Sequence, residues 1–140
     1  MKARAGKRQP RVKHALSFYL RFRGLMARGK WPPEYDALWF PRCASVHTFF
    51  TFLGPDLLFL DRDYQVLKVY PLAPPWRFWW GPRGTYGCLE TRGGEAGKRE
   101  WRVGTSLKKQ LNREDAKSNK SISLPRIHRM HSVRPMNNIR

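Results

Sequence analysis

Apolar positions along this chain change rhythm twice. After a polar opening they recur at Ala15, Phe18, Tyr19, Phe22, Leu25 and Met26, the i, i+3, i+4, i+7 spacing of one helical face. This predicts a short helix from Ser17 to Ala27, with the Ser17 hydroxyl placed to cap its first turn and Gly29 to close its end. The same stretch also alternates, Phe18, Leu20 and Phe22 against Tyr19, Arg21 and Arg23, so periodicity leaves a strand open. Beyond Pro32-Pro33 the texture becomes short apolar runs, Ala37 to Phe40, Val46 to Leu53, Asp56 to Leu60 and Val66 to Tyr70, cut by Gly, Pro and Asp. Runs of that length and punctuation predict strands.

Leu57 to Leu60 is apolar at every position, which suits a strand covered on both faces. Asp61-Arg-Asp-Tyr-Gln65 reads as a hairpin loop, because an aspartate side chain can accept from the backbone two residues on. Residues 71–84 hold four prolines and cannot serve as a central strand, so they read as a loop rich in aromatic rings. Thr85 to Glu90 predicts a last strand, after which Gly93, Gly94 and Gly97 weaken any helix. Three segments result: a flexible basic arm over 1–14, a β-rich domain over 15–107, and a basic, disordered tail over 108–140. The expected fold class is mostly β (α+β), one compact domain with a small barrel-like sheet and one short N-terminal helix.

A length of 140 residues suits one hydrophobic core and not two. With 41% hydrophobic residues the chain is too apolar for a wholly disordered one, yet it lacks the long uncharged stretch of a membrane span. The net charge of +18 resembles a nucleic-acid signature, and its distribution refines that picture. Residues 1–30 carry ten Lys/Arg and no acid, residues 31–90 five against six, and residues 91–140 thirteen against four. A near-neutral body between cationic ends binds polyanions or acidic surfaces with little selectivity. Cys43 and Cys88 are too few and too far apart for a disulfide framework, which predicts two reduced thiols. The apolar run Ala15 to Leu20 is broken by Arg21 and Arg23 and is no export signal, so a cytoplasmic location is expected.

From Ser17 to Leu107 the chain resembles a bacterial and archaeal family of unknown function, domain of unknown function (DUF) 192. Arg23-Gly24-Leu25-Met26 is similar to the family's R-G-L-M helix, and Val46-His47-Thr48-Phe49 to the V-H-T-F signature of one branch. Asp56 and Phe59-Leu60-Asp61 complete its strand, and Pro75-Trp76-Arg77, Leu89-Glu90, Gly94, Ala96, Arg102 and Gly104 keep the later spacing. The chain departs from the pattern at Thr51-Phe52-Leu53-Gly54-Pro55, where the proline is displaced by one. It departs again at Arg99, Trp101 and Thr105, which puts the closing short helix and strand in question. The resemblance implies a compact, mostly β fold with a small helix, and brings no catalytic residues with it.

Several side chains invite chemistry. His47 could titrate near neutral pH or ligate a metal, although a histidine in an apolar strand is more often buried and satisfied locally. Cys43 and His47 are four residues apart, about 13 Å on an extended strand, too far for one metal. His128 and His131 sit in the tail with nothing to fix them, so no metal site and no cofactor is expected. Asp56, Asp61 and Asp63 are the clustered carboxylates; turn formation explains them more simply than acid–base work, and no activated nucleophile stands beside them. Trp76, Phe78, Trp79 and Trp80 interleave with Arg77 and Arg83, the chemistry of a platform on which bases stack while phosphates are neutralised. The competing account is that these rings cover the open end of the sheet.

The expected function is therefore a small binding or accessory module acting without catalysis. An alternative is nucleic-acid binding through the basic arms and the aromatic loop. A third is attachment to an anionic membrane surface, with Phe18, Phe22 and Leu25 inserted and Arg21 and Arg28 at the headgroups.

Overall fold

The computed structural model describes residues 8–15, 29–49 and 51–112. Its elements are β1 (Val12–His14), β2 (Ala37–Pro41), β3 (Ser45–His47), β4 (Asp56–Leu60), β5 (Val66–Tyr70), β6 (Phe78–Trp80), β7 (Gly87–Thr91) and the short helix α1 (Glu95–Lys98). Residues 108–112 form a further helical turn. The predicted helix from Ser17 to Ala27, the R-G-L-M residues Arg23, Gly24, Leu25 and Met26, and the membrane-facing set lie outside the described residues.

Five strands form one sheet in the order β1-β2-β7-β4-β5, and β3 pairs with β6 in a separate ribbon. The sheet is open, with β1 and β5 at opposite edges, which corrects the barrel-like expectation; the compact β-rich domain stands. β1 runs parallel to β2, while β2-β7, β7-β4 and β4-β5 are antiparallel.

Because side chains alternate across a strand, the central register sorts residues onto two faces. One row runs Trp39, Leu89, Leu58, Val69. This face is covered by Ala96 of α1 with Trp101, Leu107 and Leu111. The other face carries Phe40, Cys88 and Phe59 in one row and Leu38, Glu90 and Leu57 in the next. It is covered in two patches, by Ala15, Tyr35, Trp31 and Cys43 over β2, and by Ala73, Val46 and Trp79 over β4. Burial on both sides explains why Leu57 to Leu60 is apolar throughout. Gly87 is required by closeness, since a Cβ there would lie 2.5 Å from the Trp39 ring and 2.6 Å from the Phe40 carbonyl oxygen.

Three expectations change at the periphery. Val12–His14, read as part of a flexible arm, is an edge strand: Val12 is buried against Ala37, and the Arg11 carbonyl accepts from the amides of Asp36 and Ala37. Residues 108–112, read as the start of the tail, are helical because Leu111 is buried in the core. Of the run Val46 to Leu53, Val46 and His47 are in strand; residues 78–80, read as loop, pair with them. The prolines at 74, 75 and 82 flank that pairing and leave its amides intact.

Candidate functional site: an aromatic ribbon held on the sheet

β3 and β6 pair Ser45 with Trp80, Val46 with Trp79 and His47 with Phe78. Alternation sends Val46 and Trp79 inward, where Trp79 packs with Tyr70 at 4.9 Å between ring centroids. The residues of the other parity stay outside. Phe78 and Trp80 are 53% and 61% exposed, and Trp76, just before the strand, is 54% exposed.

These rings touch one another in sequence. Phe78 and Trp80 are 5.7 Å apart and tilted by 31°, Phe49 meets Phe78 edge-on at 4.8 Å, and Trp76 lies 6.1 Å from Phe49. His47 stacks on Phe49 at 5.4 Å, and its buried Nδ1 has no hydrogen-bond partner. Trp76 adopts a positive φ of 63°, a conformation that a bulky side chain enters at a cost of about 1–3 kcal/mol.

Thr48 holds this arrangement together. Its hydroxyl donates to the Pro74 carbonyl (2.7 Å) and accepts from the Arg77 amide and the Trp79 indole N–H (both 3.2 Å). That uses the one donor and two acceptor sites of a hydroxyl. Its backbone accepts from Trp76 N–H at 3.0 Å and donates to the Arg77 carbonyl at 2.9 Å. Tyr70 adds a tie from the sheet, its phenol donating to the Trp80 carbonyl at 3.0 Å.

The remaining candidates are placed elsewhere. Asp56 is fully buried and clamps three backbone amides: Leu72 (2.9 Å) and Gly94 (3.0 Å) on Oδ1, Ala96 (2.9 Å) on Oδ2. It thereby joins the start of β4 to the end of β5 and to the first turn of α1, which forms despite Gly94 and Gly97. Asp61 Oδ1 accepts from the amides of Asp63 (2.8 Å) and Gln65 (3.0 Å), as a turn former does. Cys43 donates its thiol proton to the Ser45 carbonyl at 2.9 Å. Among the described residues no group of three or more His, Cys, Asp or Glu is arranged to hold a metal. Arg77 and Arg83 are exposed in the segments flanking β6.

Two buried groups have displaced protonation. Glu90, on the β3-β6 side of the sheet between Leu38 and Leu57, is pushed by burial up to about 8. Burial, with help from the charges of Glu90 and Cys43, also raises the Cys88 thiol well above its ordinary value. Leu89, its neighbour in the motif, belongs to the opposite face. Sequence reasoning grouped four rings as one platform, whereas Trp79 is structural. Only the fold separates them, by placing the Thr48 hydroxyl where the Trp79 indole N–H finds it inside.

Comparison with known proteins bears on family and fold. An archaeal UPF0127 protein from Thermococcus sibiricus is 38% identical over 87 residues, 58% of this chain and 54% of that protein, so the chain spans about half the length of this relative. A crystal structure of a protein of unknown function from Novosphingobium aromaticivorans superposes with a TM-score of 0.58 at 23% identity, covering 66% of this chain and 70% of that one. A Sinorhizobium meliloti protein named "putative transcription regulator" gives 0.57 at 23%, covering 66% and 76%. At that identity both show the fold alone. The family model of DUF192, described as Uncharacterized ACR, COG1430, matches residues 1–109, and the chain belongs to that family.

Proposed function

We propose that this chain is a binding module and that the outer face of the β3-β6 ribbon is its contact surface, with single-stranded nucleic acid as the occupant. The observation that carries the reading is three neighbouring rings, Trp76, Phe78 and Trp80, each more than half exposed on a ribbon whose inner ring is fixed. Exposed contiguous aromatics cost solubility, and base stacking is a use that offsets the cost. Arg77 and Arg83 flank the rings, and the cationic ends add a nonspecific attraction for phosphates. The regulator label of the Sinorhizobium meliloti neighbour belongs to that protein. With Cys43 and Cys88 both free, a reducing compartment such as the cytoplasm is the consistent setting.

Fluorescence anisotropy of labelled single-stranded RNA and DNA, titrated with the full chain across a salt series, tests the reading. Charge on the ends gives binding that falls steeply with salt, and ring stacking gives a residue that survives it. Substituting Trp76, Phe78 and Trp80 together by Ala should remove the salt-resistant part and leave the slope. Binding that is unchanged by the triple substitution would move the contact off the ribbon.

A further inference from the structure

On the parallel edge of the sheet, one buried carboxylate gathers three arginines. Asp36 has a side chain only 5% exposed; it accepts from the Arg11 amide (2.8 Å), Arg11 Nε (3.3 Å) and Arg8 Nη2 (3.1 Å), and Arg92 Nη1 stands 3.9 Å away. Burial by itself would raise this carboxyl, but the hydrogen bonds and charges of Arg11 and the charge of Arg8 outweigh it and hold it below its ordinary value. One negative charge therefore fixes three positive ones. The three side chains remain 64%, 47% and 45% exposed, with Arg11 Nη2 also held by the Pro33 carbonyl at 2.7 Å. A cluster with two charges in excess, pre-positioned by a buried anchor, matches the fork geometry with which arginine takes a phosphate.

Arg8 also walls an adjoining cleft of about 150 Å³, shared with Pro10, Arg99, Trp101 and Gln110. That volume holds one six-membered ring. Arg99 braces the wall, bonded to Glu95 Oε1 at 2.7 Å, donating to the Arg8 carbonyl at 2.9 Å and lying 5.4 Å over the Trp101 ring. The Gln110 Oε1 is buried and has no partner, an acceptor for which the fold supplies no donor.

We propose that the arginine cluster and this cleft form one site for a small organic phosphate of the mononucleotide class, the phosphate on Arg8, Arg11 and Arg92 and a ring bearing an N–H donor against Gln110. The site is independent of the ribbon, so either can fail without the other.

Calorimetric titration of the full chain at physiological salt with inorganic phosphate, uridine and uridine monophosphate tests it. The monophosphate should bind more tightly than either part. Arg92→Gln, which removes the arginine most loosely tied to Asp36, should weaken phosphate and monophosphate about tenfold, the scale of one charge-assisted hydrogen bond. Arg62→Gln, a cation outside the cluster, should change neither. Gln110→Leu should weaken uridine and its monophosphate while leaving phosphate untouched, and it keeps the test standing if Arg92→Gln disturbs the fold. Equal losses from Arg62→Gln and Arg92→Gln, or a monophosphate no tighter than phosphate, would overturn the site. Displacement of the monophosphate by an oligonucleotide of equal phosphate content would overturn its assignment to a free nucleotide.

Discussion

The five-stranded sheet and the β3-β6 ribbon are both rich in aromatic rings and treat them oppositely. In the sheet, Trp39 and Phe59 are 2% and 0% exposed and fill the two faces; in the ribbon, one ring in three points inward and its neighbours stay in solvent. The difference is one of layers. The sheet has cover on both sides, whereas the ribbon is itself the cover, so its outer parity has nothing above it among the described residues. Rings in the first setting stabilise the fold, and rings in the second are available for contact.

The largest effect that tests this contrast is truncation in each layer. Phe59→Ala should cost about 3–5 kcal/mol in urea unfolding, and Trp80→Ala about 0.5 kcal/mol or less. Comparable losses at the two positions would erase the distinction. Next is Glu90, buried in the face that the ribbon helps to cover. Its folded value of about 8 lies above the 4.5 of the unfolded chain, so the native state binds the extra proton and the stability is complete below pH 4.5. That contribution should fall as pH rises toward 8, by at most about 1.4 kcal/mol per unit, and Glu90→Gln should flatten the profile. Asp36 acts in the opposite sense, its stabilisation fading as pH drops below 3.8.

Thr48→Val comes third, removing a hydroxyl that serves three partners. About 1–3 kcal/mol should be lost, with a shift in tryptophan emission as Trp79 loosens. The smallest effect is chemical. Native-state alkylation should label Cys43, half-exposed, well before Cys88, buried and held protonated.

Several elements were legible in the chain because local pattern and tertiary role agree there. Asp56–Leu60 and Val66–Tyr70 match the predicted strands, and Asp61 makes the predicted turn. β1 was hidden because Val12 is a lone apolar residue among cations, and its pairing depends on Asp36, 25 positions from Arg11. α1 was hidden because its glycines argue against a helix, while the Asp56 carboxylate that secures its amides lies 40 positions from Ala96. The sidedness of Phe78-Trp79-Trp80 was unreadable for a simpler reason. All three are apolar, so alternation exists in the backbone and leaves no trace in the sequence.

The most direct measurement is a paired one, in which oligonucleotide binding at physiological salt and urea stability are recorded on Trp80→Ala and Trp79→Ala. The account predicts that Trp80→Ala weakens binding about tenfold, as loss of one stacked base would, and leaves stability intact, while Trp79→Ala lowers stability by about 2–3 kcal/mol. Unchanged binding by Trp80→Ala, with the fold intact, would contradict the claim that the ribbon's outer rings are the contact surface.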